Sequence, residues 1–344
     1  MPSEPDFVLH VGEEPPKWKN VELLFERTRS RDAVTKKFLQ WLRGAWNVFH
    51  HQPFRRHLYG IMFIQPYAYI CYADHGGAVY SEPLDFVKND QHTRFLVAFL
   101  RGFIAAPQRR GRDPAVKESD GVHIRHAEAT WAEQPNPLCY RPCLVGRHIR
   151  VALVRNRDEP LKTNIIMKST WEEKLPSESS PPSEVEVLEI LLKANVRGLP
   201  KPYSLESAIV RDDGDLEVQT RNFPEDCEVA FPATTRMLFE KMQESYISHH
   251  TSKPLAPGAD VNEPHLQRVQ IQRLQFNEPL KVRRRLTRVL MSYCVPLKEA
   301  MRTRDSESLM RIIRDAMIVY YEAYKRPESG FIHGGKHFMN VLGC

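Results

Sequence analysis

Apolar positions along the chain change period several times, and the changes mark out its elements. Phe38, Leu39, Leu42, Ala45, Trp46 and Phe49 recur at three- and four-residue spacing, which predicts a helix over 36–49 with one buried face. A second helix is read at 21–27, behind some fifteen residues of loose terminus. Runs at 58–64 and 68–72 are rich in β-branched and aromatic residues and are broken by Gln65-Pro66, the pattern of a hairpin. Asp74-His75-Gly76-Gly77 is a further turn signal leading into Ala78-Val79-Tyr80, so an antiparallel meander is expected. A short packed helix follows at 95–104.

Periodicity fades over 107–137, which reads as a loop or linker with one strand near 122–125. Strands are expected again at 143–145, 151–154 and 164–168. The segment 174–183 is a flexible loop by composition, and Ser183 can cap a helix over 184–194 that carries glutamates in its first turn. Further on, 237–246 reads as a helix, 249–263 as a polar loop and 286–291 as a strand. An amphipathic helix is expected at 308–324, with Leu309, Ile312, Ile313, Ala316, Met317 and Tyr320 as its buried stripe.

Composition narrows the class. Of 344 residues, 42% are hydrophobic and 27% charged, the balance of a water-soluble globular chain. The longest apolar runs are far too short to span a bilayer, and the acidic, Pro-rich start lacks the layout of a secretion signal. Six scattered cysteines include one close pair, Cys139 and Cys143, with no second pair at zinc-ligand spacing. Free thiols in a reducing compartment are the expectation, hence an intracellular protein, cytoplasmic or nuclear. The net charge of +6 is mild, although arginines cluster at 55–56, 109–112 and 283–285. No aromatic residues interleave with those clusters as a stacking platform for bases would require, so nucleic acid is the last-ranked partner.

Two places could carry chemistry. Ile165-Ile166-Met167-Lys168 is an apolar strand ending in a lysine, and the helix after it offers Glu184, Glu186 and Glu189. A strand lysine paired with a helix carboxylate can hold an ammonium against nucleotide phosphates. Glu184 is favoured as the partner because Leu188 and Leu191-Leu192 lie one and two turns on, along its face. The plain alternative leaves all three glutamates on the surface. At the far end, His333 and Asn340 have the spacing of the kinase catalytic loop H-R-D-x-x-x-x-N, with Gly334 and Gly335 in the Arg and Asp positions.

An ordered series of blocks resembles the fungal-type protein kinase family. Arg55-Arg56-His57-Leu58-Tyr59-Gly60-Ile61, Tyr72-Ala73-Asp74-His75-Gly76 and Ser81-Glu82-Pro83-Leu84-Asp85 are similar to the family's segment ahead of its kinase core. Leu144-Val145-Gly146-Arg147 resembles the first kinase strand and the start of the phosphate loop. Met167-Lys168-Ser169-Thr170-Trp171 resembles the family's valine-lysine-aspartate-serine-tryptophan block, and Val196-Arg197-Gly198-Leu199-Pro200 the turn after the αC helix. Arg288-Val289-Leu290 with Pro296-Leu297 resembles the strand and hinge. Gly330-Phe331-Ile332-His333 then leads into the catalytic loop, where the family reads glycine-isoleucine-leucine-histidine-arginine-aspartate.

The resemblance implies an α+β, protein-kinase-like fold: an antiparallel N-lobe sheet with the αC helix and the start of a helical C-lobe, behind an N-terminal α/β extension. The expected division is a loosely ordered terminus over 1–34, the extension with its meander over 35–135, and an incomplete kinase-like domain over 140–344. The implied activity is ATP-dependent phosphorylation of protein Ser/Thr. Gly146 and Lys168 would contact ATP, Glu184 would orient the lysine, and Asn340 would hold Mg beside His333.

The departures from the family pattern are as informative. Gly146 is followed by Arg147-His148-Ile149-Arg150, whose side chains crowd a phosphate loop. Gly335 removes the catalytic carboxylate, a group worth on the order of 10²–10⁴-fold. Lys336 and His337 do not stand at its position, and a lysine is mostly protonated at neutral pH. The sequence stops before any Asp-Phe-Gly, so the expectation is a truncated, catalytically impaired kinase homologue. The alternatives are a scaffold or pseudokinase that binds a protein partner through residues 36–104, and a truncated gene product.

Overall fold

Strand β3 (His57–Ile64) is buried on both faces, and the first half of the chain is organised around it. It pairs antiparallel with β4 (Tyr67–Asp74), which pairs with β5 (Gly77–Tyr80) and with the short β6 (Leu84–Asp85). This is the expected meander, and its run of apolar residues suits a strand covered on both sides. On the other side β3 pairs in parallel with β2 (Val21–Thr28), and β2 in turn pairs antiparallel with β1 (Phe7–His10). Helix α1 (Val34–His51) makes the crossover between β2 and β3. The computed structural model describes residues 5–13, 15–29, 34–159, 165–174, 183–196, 199, 201–203, 205–212, 216–221 and 283–293, with single positions between 305 and 325.

The described residues form two compact units. The first lies within Met1–Arg112, Cys143–Val145 and Arg221–Lys281, the second within Asp113–Pro142, Gly146–Thr220 and Val282–Cys344. In the first, α1 buries Phe38, Trp41, Leu42, Ala45 and Phe49 against Leu24, Leu58 and Met62. Helix α2 (Asp90–Ala105) covers the opposite sheet face, with Leu96 and Phe103 against Leu23, Ile61 and Ala68. Successive strand residues thus point alternately to the two helices. Gly60 lies under Trp41, and a Cβ there would stand 2.6 Å from Trp41 Cε2 and 2.7 Å from Cδ1. Only glycine lets α1 sit that close.

Two readings of the N-terminal segment change. Residues 7–10 are a strand rather than loose terminus, and 21–28 are a strand rather than a helix. The glutamates that broke the strand pattern are buried and paired. Glu22 accepts from Arg55 Nη1 at 2.8 Å and from Arg112 Nε at 2.7 Å, and Glu26 accepts from Lys37 Nζ at 3.2 Å. Buried charges are tolerated when paired and hydrogen-bonded, so the segment is a sheet strand with two carboxylates inside. Arg110 is also used locally: its Nη2 donates to the Ile104 carbonyl at the end of α2 at 2.8 Å.

The second unit is an antiparallel sheet ordered β13-β12-β11-β9-β8-β7, with β10 also on β11. Its strands are β7 (Val116–Lys117), β8 (His123–His126), β9 (Ala129–Glu133), β10 (Cys139–Arg141), β11 (Ile149–Asn156), β12 (Ile165–Glu173) and β13 (Arg284–Ser292). Residues 116–133, read as mostly loop and set in the extension, are therefore three strands of this sheet. Polar side chains obscured them: Asp113, ahead of β7, forms a buried ion pair with Arg288 of β13. Trp131 Nε1 donates to the His126 carbonyl at 3.0 Å across the β8–β9 hairpin.

Residues 143–145 are not a strand; the strand before the loop is β10, which ends two residues earlier. Helix α3 (Glu184–Lys193) packs Val185 and Leu188 against Val289, Met291 and Ala208. Among the described positions near the C-terminus, 307, 310, 311, 314, 317, 318 and 321 are helical. Met317, expected in the buried stripe, is instead 66% exposed. The helix at 237–246 and the loop at 249–263 lie outside the described residues. No helix among the described residues is long and apolar enough to cross a membrane.

Candidate functional site

Strand β12 carries Lys168 between β11 and β13, opposite Val151 on one side and Val289 on the other. Its side chain is nearly buried, and its ammonium meets the carboxylate at the start of α3. Lys168 Nζ donates to Glu184 Oε1 at 2.6 Å and to Oε2 at 2.7 Å. The lysine side chain is 11% exposed and the glutamate side chain 18%, so the pair is largely withdrawn from water. The attraction is correspondingly stronger than in a surface pair.

The helix start explains why Glu184 is the partner. Ser183 is the N-cap, and its Oγ accepts from Glu186 N at 3.2 Å. Glu186 Oε2 returns the favour by accepting from Ser183 N at 2.6 Å, which completes a capping box. That N–H holds the Glu186 carboxyl below its ordinary pKa. Glu186 is thus committed to the cap and Glu184 is left to face the sheet. Glu189, nearly one turn beyond Glu186, stands 4.0 Å from Lys193 along the outer surface of the helix.

A second carboxylate stands at the same helix start. Glu172, four residues after Lys168 on β12, is 4% exposed, and its Oε1 accepts from Glu184 N at 3.3 Å. Burial, and then the Glu184 charge, push its carboxyl pKa up, against the opposing pull of Arg285 and Arg147. Sequence reading passed over Glu172. The available signal was strand alternation, which sets Lys168, Thr170 and Glu172 on one face of β12.

Gly146 lies in the segment between β10 and β11, with φ +128°. That conformation favours glycine. His148 N donates to the Gly146 carbonyl at 3.0 Å, and Trp171 N donates to the His148 carbonyl at 3.3 Å, which ties the end of this turn to the strand of Lys168. Arg150 pairs with Glu133 and lies 5.4 Å from the centre of the Tyr140 ring, so it is held along the sheet. The structure therefore brings Lys168 and Glu184 into contact and sets the Gly146 turn beside the same strand. His333, Gly335 and Asn340 lie outside the described residues.

Two mixed or antiparallel sheets with few helices, and a strand lysine paired with a helix carboxylate, define an α+β protein. The chain belongs to the fungal protein kinase family: the family model described as "Fungal protein kinase" matches residues 5–334, which takes in residues of both units. Neither the curated proteins nor the solved structures gave a match.

Proposed function

We propose that Lys168 and Glu184 are the phosphate-orienting ion pair of an ATP site, in a protein-kinase-like unit whose own transfer step is impaired. The observation that carries the reading is the two-pronged contact of Lys168 Nζ with Glu184, at 2.6 and 2.7 Å, from a central strand to the first residue of the following helix. Such a pair fixes an ammonium where it can meet the α- and β-phosphates of a nucleotide. In this reading α3 is the αC helix, and Gly146 lets the main chain at the start of the segment into β11 approach the phosphates. Bound Mg would neutralise phosphate charge, and Asn340 is the side chain assigned to hold it, beside His333.

Impairment follows from Gly335. It stands where the family carries the aspartate that takes the substrate hydroxyl's proton, and glycine has no group to accept one. The family activity is phosphorylation of protein Ser/Thr, so a protein is the assigned substrate or partner. The reading carries an intracellular location, which a cysteine usage suited to free thiols supports. Binding of Mg-ATP to the full chain, followed by calorimetry, tests the site. A clear affinity that disappears in Lys168→Ala supports it, while equal binding by both proteins sinks it. Phosphate transfer to a protein substrate that depends on Lys168 would refute impairment.

A scaffold role has one supporting observation. Phe95, Val97 and Ile104 of α2 are 56%, 41% and 54% exposed, apolar side chains that flank the buried side of the helix that covers the first sheet. Under that reading Mg-ATP leaves the thermal unfolding of the chain unshifted, and a Phe95→Ser/Ile104→Ser variant loses the partner that wild type retains.

A further inference from the structure

Every donor at the start of α3 for which the structure shows a side-chain acceptor is matched to a particular residue. Ser183 N goes to Glu186, Glu186 N goes to Ser183, and Glu184 N goes to Glu172. The first two bonds stay within the helix start. The third reaches out of it, to the strand that carries Lys168. Glu184 is consequently held to β12 twice, by its side chain to Lys168 and by its backbone N–H to Glu172.

Packing alone does not call for a carboxylate at 172. The residue is 4% exposed, and its Oε2 is buried with no hydrogen-bond partner. A buried, half-satisfied carboxylate opposes stability, and an apolar side chain of similar size would avoid the cost. Its position on the sheet limits the alternatives. Glu172 is in register with Arg285 on β13, and its charge is felt by Arg285 and Arg147. Thr170, between it and Lys168 on the same face, also has a buried hydroxyl with no partner. Among the described residues, the hydrogen bond that the Glu172 side chain makes is the one to the first residue of α3.

We propose that Glu172 is a positioning residue for the Lys168–Glu184 pair, anchoring the first backbone N–H of α3 so that the Glu184 carboxylate stays on the lysine ammonium. The inference rests on the reading of that pair as phosphate-orienting, and it adds a residue that does not itself touch the nucleotide. Removing the anchor lets the helix start move away from β12. Glu184 then follows its backbone, and Lys168 loses its fixed direction.

Two readouts on the full chain test this. The first needs no ligand: the rate at which an amine-reactive ester acylates Lys168, resolved by mass spectrometry. In Glu172→Leu that rate rises by about tenfold, the scale of one charge-assisted hydrogen bond lost. Glu172→Gln keeps an acceptor oxygen and labels at the wild-type rate. The second readout compares ATP with adenosine: Glu172→Leu weakens ATP by about tenfold and leaves adenosine unchanged, since only ATP has phosphates to be oriented. An unchanged Lys168 labelling rate in Glu172→Leu overturns the proposal. Should that variant fail to fold, Glu172→Asp draws the carboxylate back by one methylene and must also raise the labelling rate; a wild-type rate there overturns it equally. If wild type binds no ATP, the phosphate-orienting reading falls, while the labelling rates still decide whether Glu172 positions the pair.

Discussion

Removing either partner of the Lys168–Glu184 pair leaves a charge that the fold has largely withdrawn from water. The remaining side chain would be the lysine, 11% exposed, or the glutamate, 18% exposed. Breaking a buried pair from one side costs about 3–5 kcal/mol. With this residual exposure the lower end applies, so Lys168→Met and Glu184→Leu each lose about 3 kcal/mol. At about 2–4 °C per kcal/mol for a unit of this size, the melting temperature drops by about 6–12 °C. Lys168→Met/Glu184→Leu together should recover to within about 1 kcal/mol of wild type, because neither buried charge remains. Stability and binding then separate: the double variant melts like wild type and still fails to bind Mg-ATP. Urea unfolding of the four proteins, followed by circular dichroism, closes the cycle. If the double variant loses the sum of the two single losses, the residues act independently and the pair is not a unit. If each single variant stays within about 0.5 kcal/mol of wild type, the contact behaves as a surface ion pair and the reasoning from burial fails.

Two further expectations concern the two sheets. Gly60→Ala forces a methyl against the buried Trp41 ring and should destabilise the first unit by about 3 kcal/mol. In a Trp41→Leu background, which lacks the ring it meets, Gly60→Ala should cost clearly less; a Gly60→Ala protein as stable as wild type by urea titration would refute the close approach. In the second unit, burial and then the Arg288 charge hold His126 down to about 4. Between about pH 4 and the ordinary value of 6.5 the unfolded chain therefore binds more protons at this site than the folded one. Stability falls as the pH drops through that window. Wild type should lose ground against His126→Phe from pH 6.5 to pH 4, and a constant difference between them would show that His126 titrates normally.

Much of the candidate site was legible before any coordinates. The apolar run ending in Lys168 is a strand because its residues are branched and apolar, and Ser183 with Glu186 three residues later is a local capping signal. Both are properties of a few adjacent residues. The choice among three glutamates was less legible, since helical spacing alone ranks Glu184 over Glu186 only through the leucines on its face. The capping box resolves it physically: one carboxylate is spent on the Ser183 N–H and leaves the other for Lys168. Glu172 was missed because its partner, the N–H of Glu184, lies across a segment whose length gives no hint of where the helix returns.

The remaining gaps share one cause. Residues 21–27 read as a helix because Glu22 and Glu26 interrupt the strand pattern, and 107–137 read as loop, apart from one strand near 122–125, because polar residues interrupt the pattern of β7 and β9. Arg55 and Arg112 for Glu22, Lys37 for Glu26, and Arg288 for Asp113 come from distant parts of the chain. Local patterning specifies an element when its stability comes from neighbours along the chain, as in α1, the β3–β4 hairpin and the cap of α3. Where a buried charge is tolerable only because an opposite charge arrives from another strand or helix, the chain's own order says nothing of it, and tertiary packing alone makes that segment a strand.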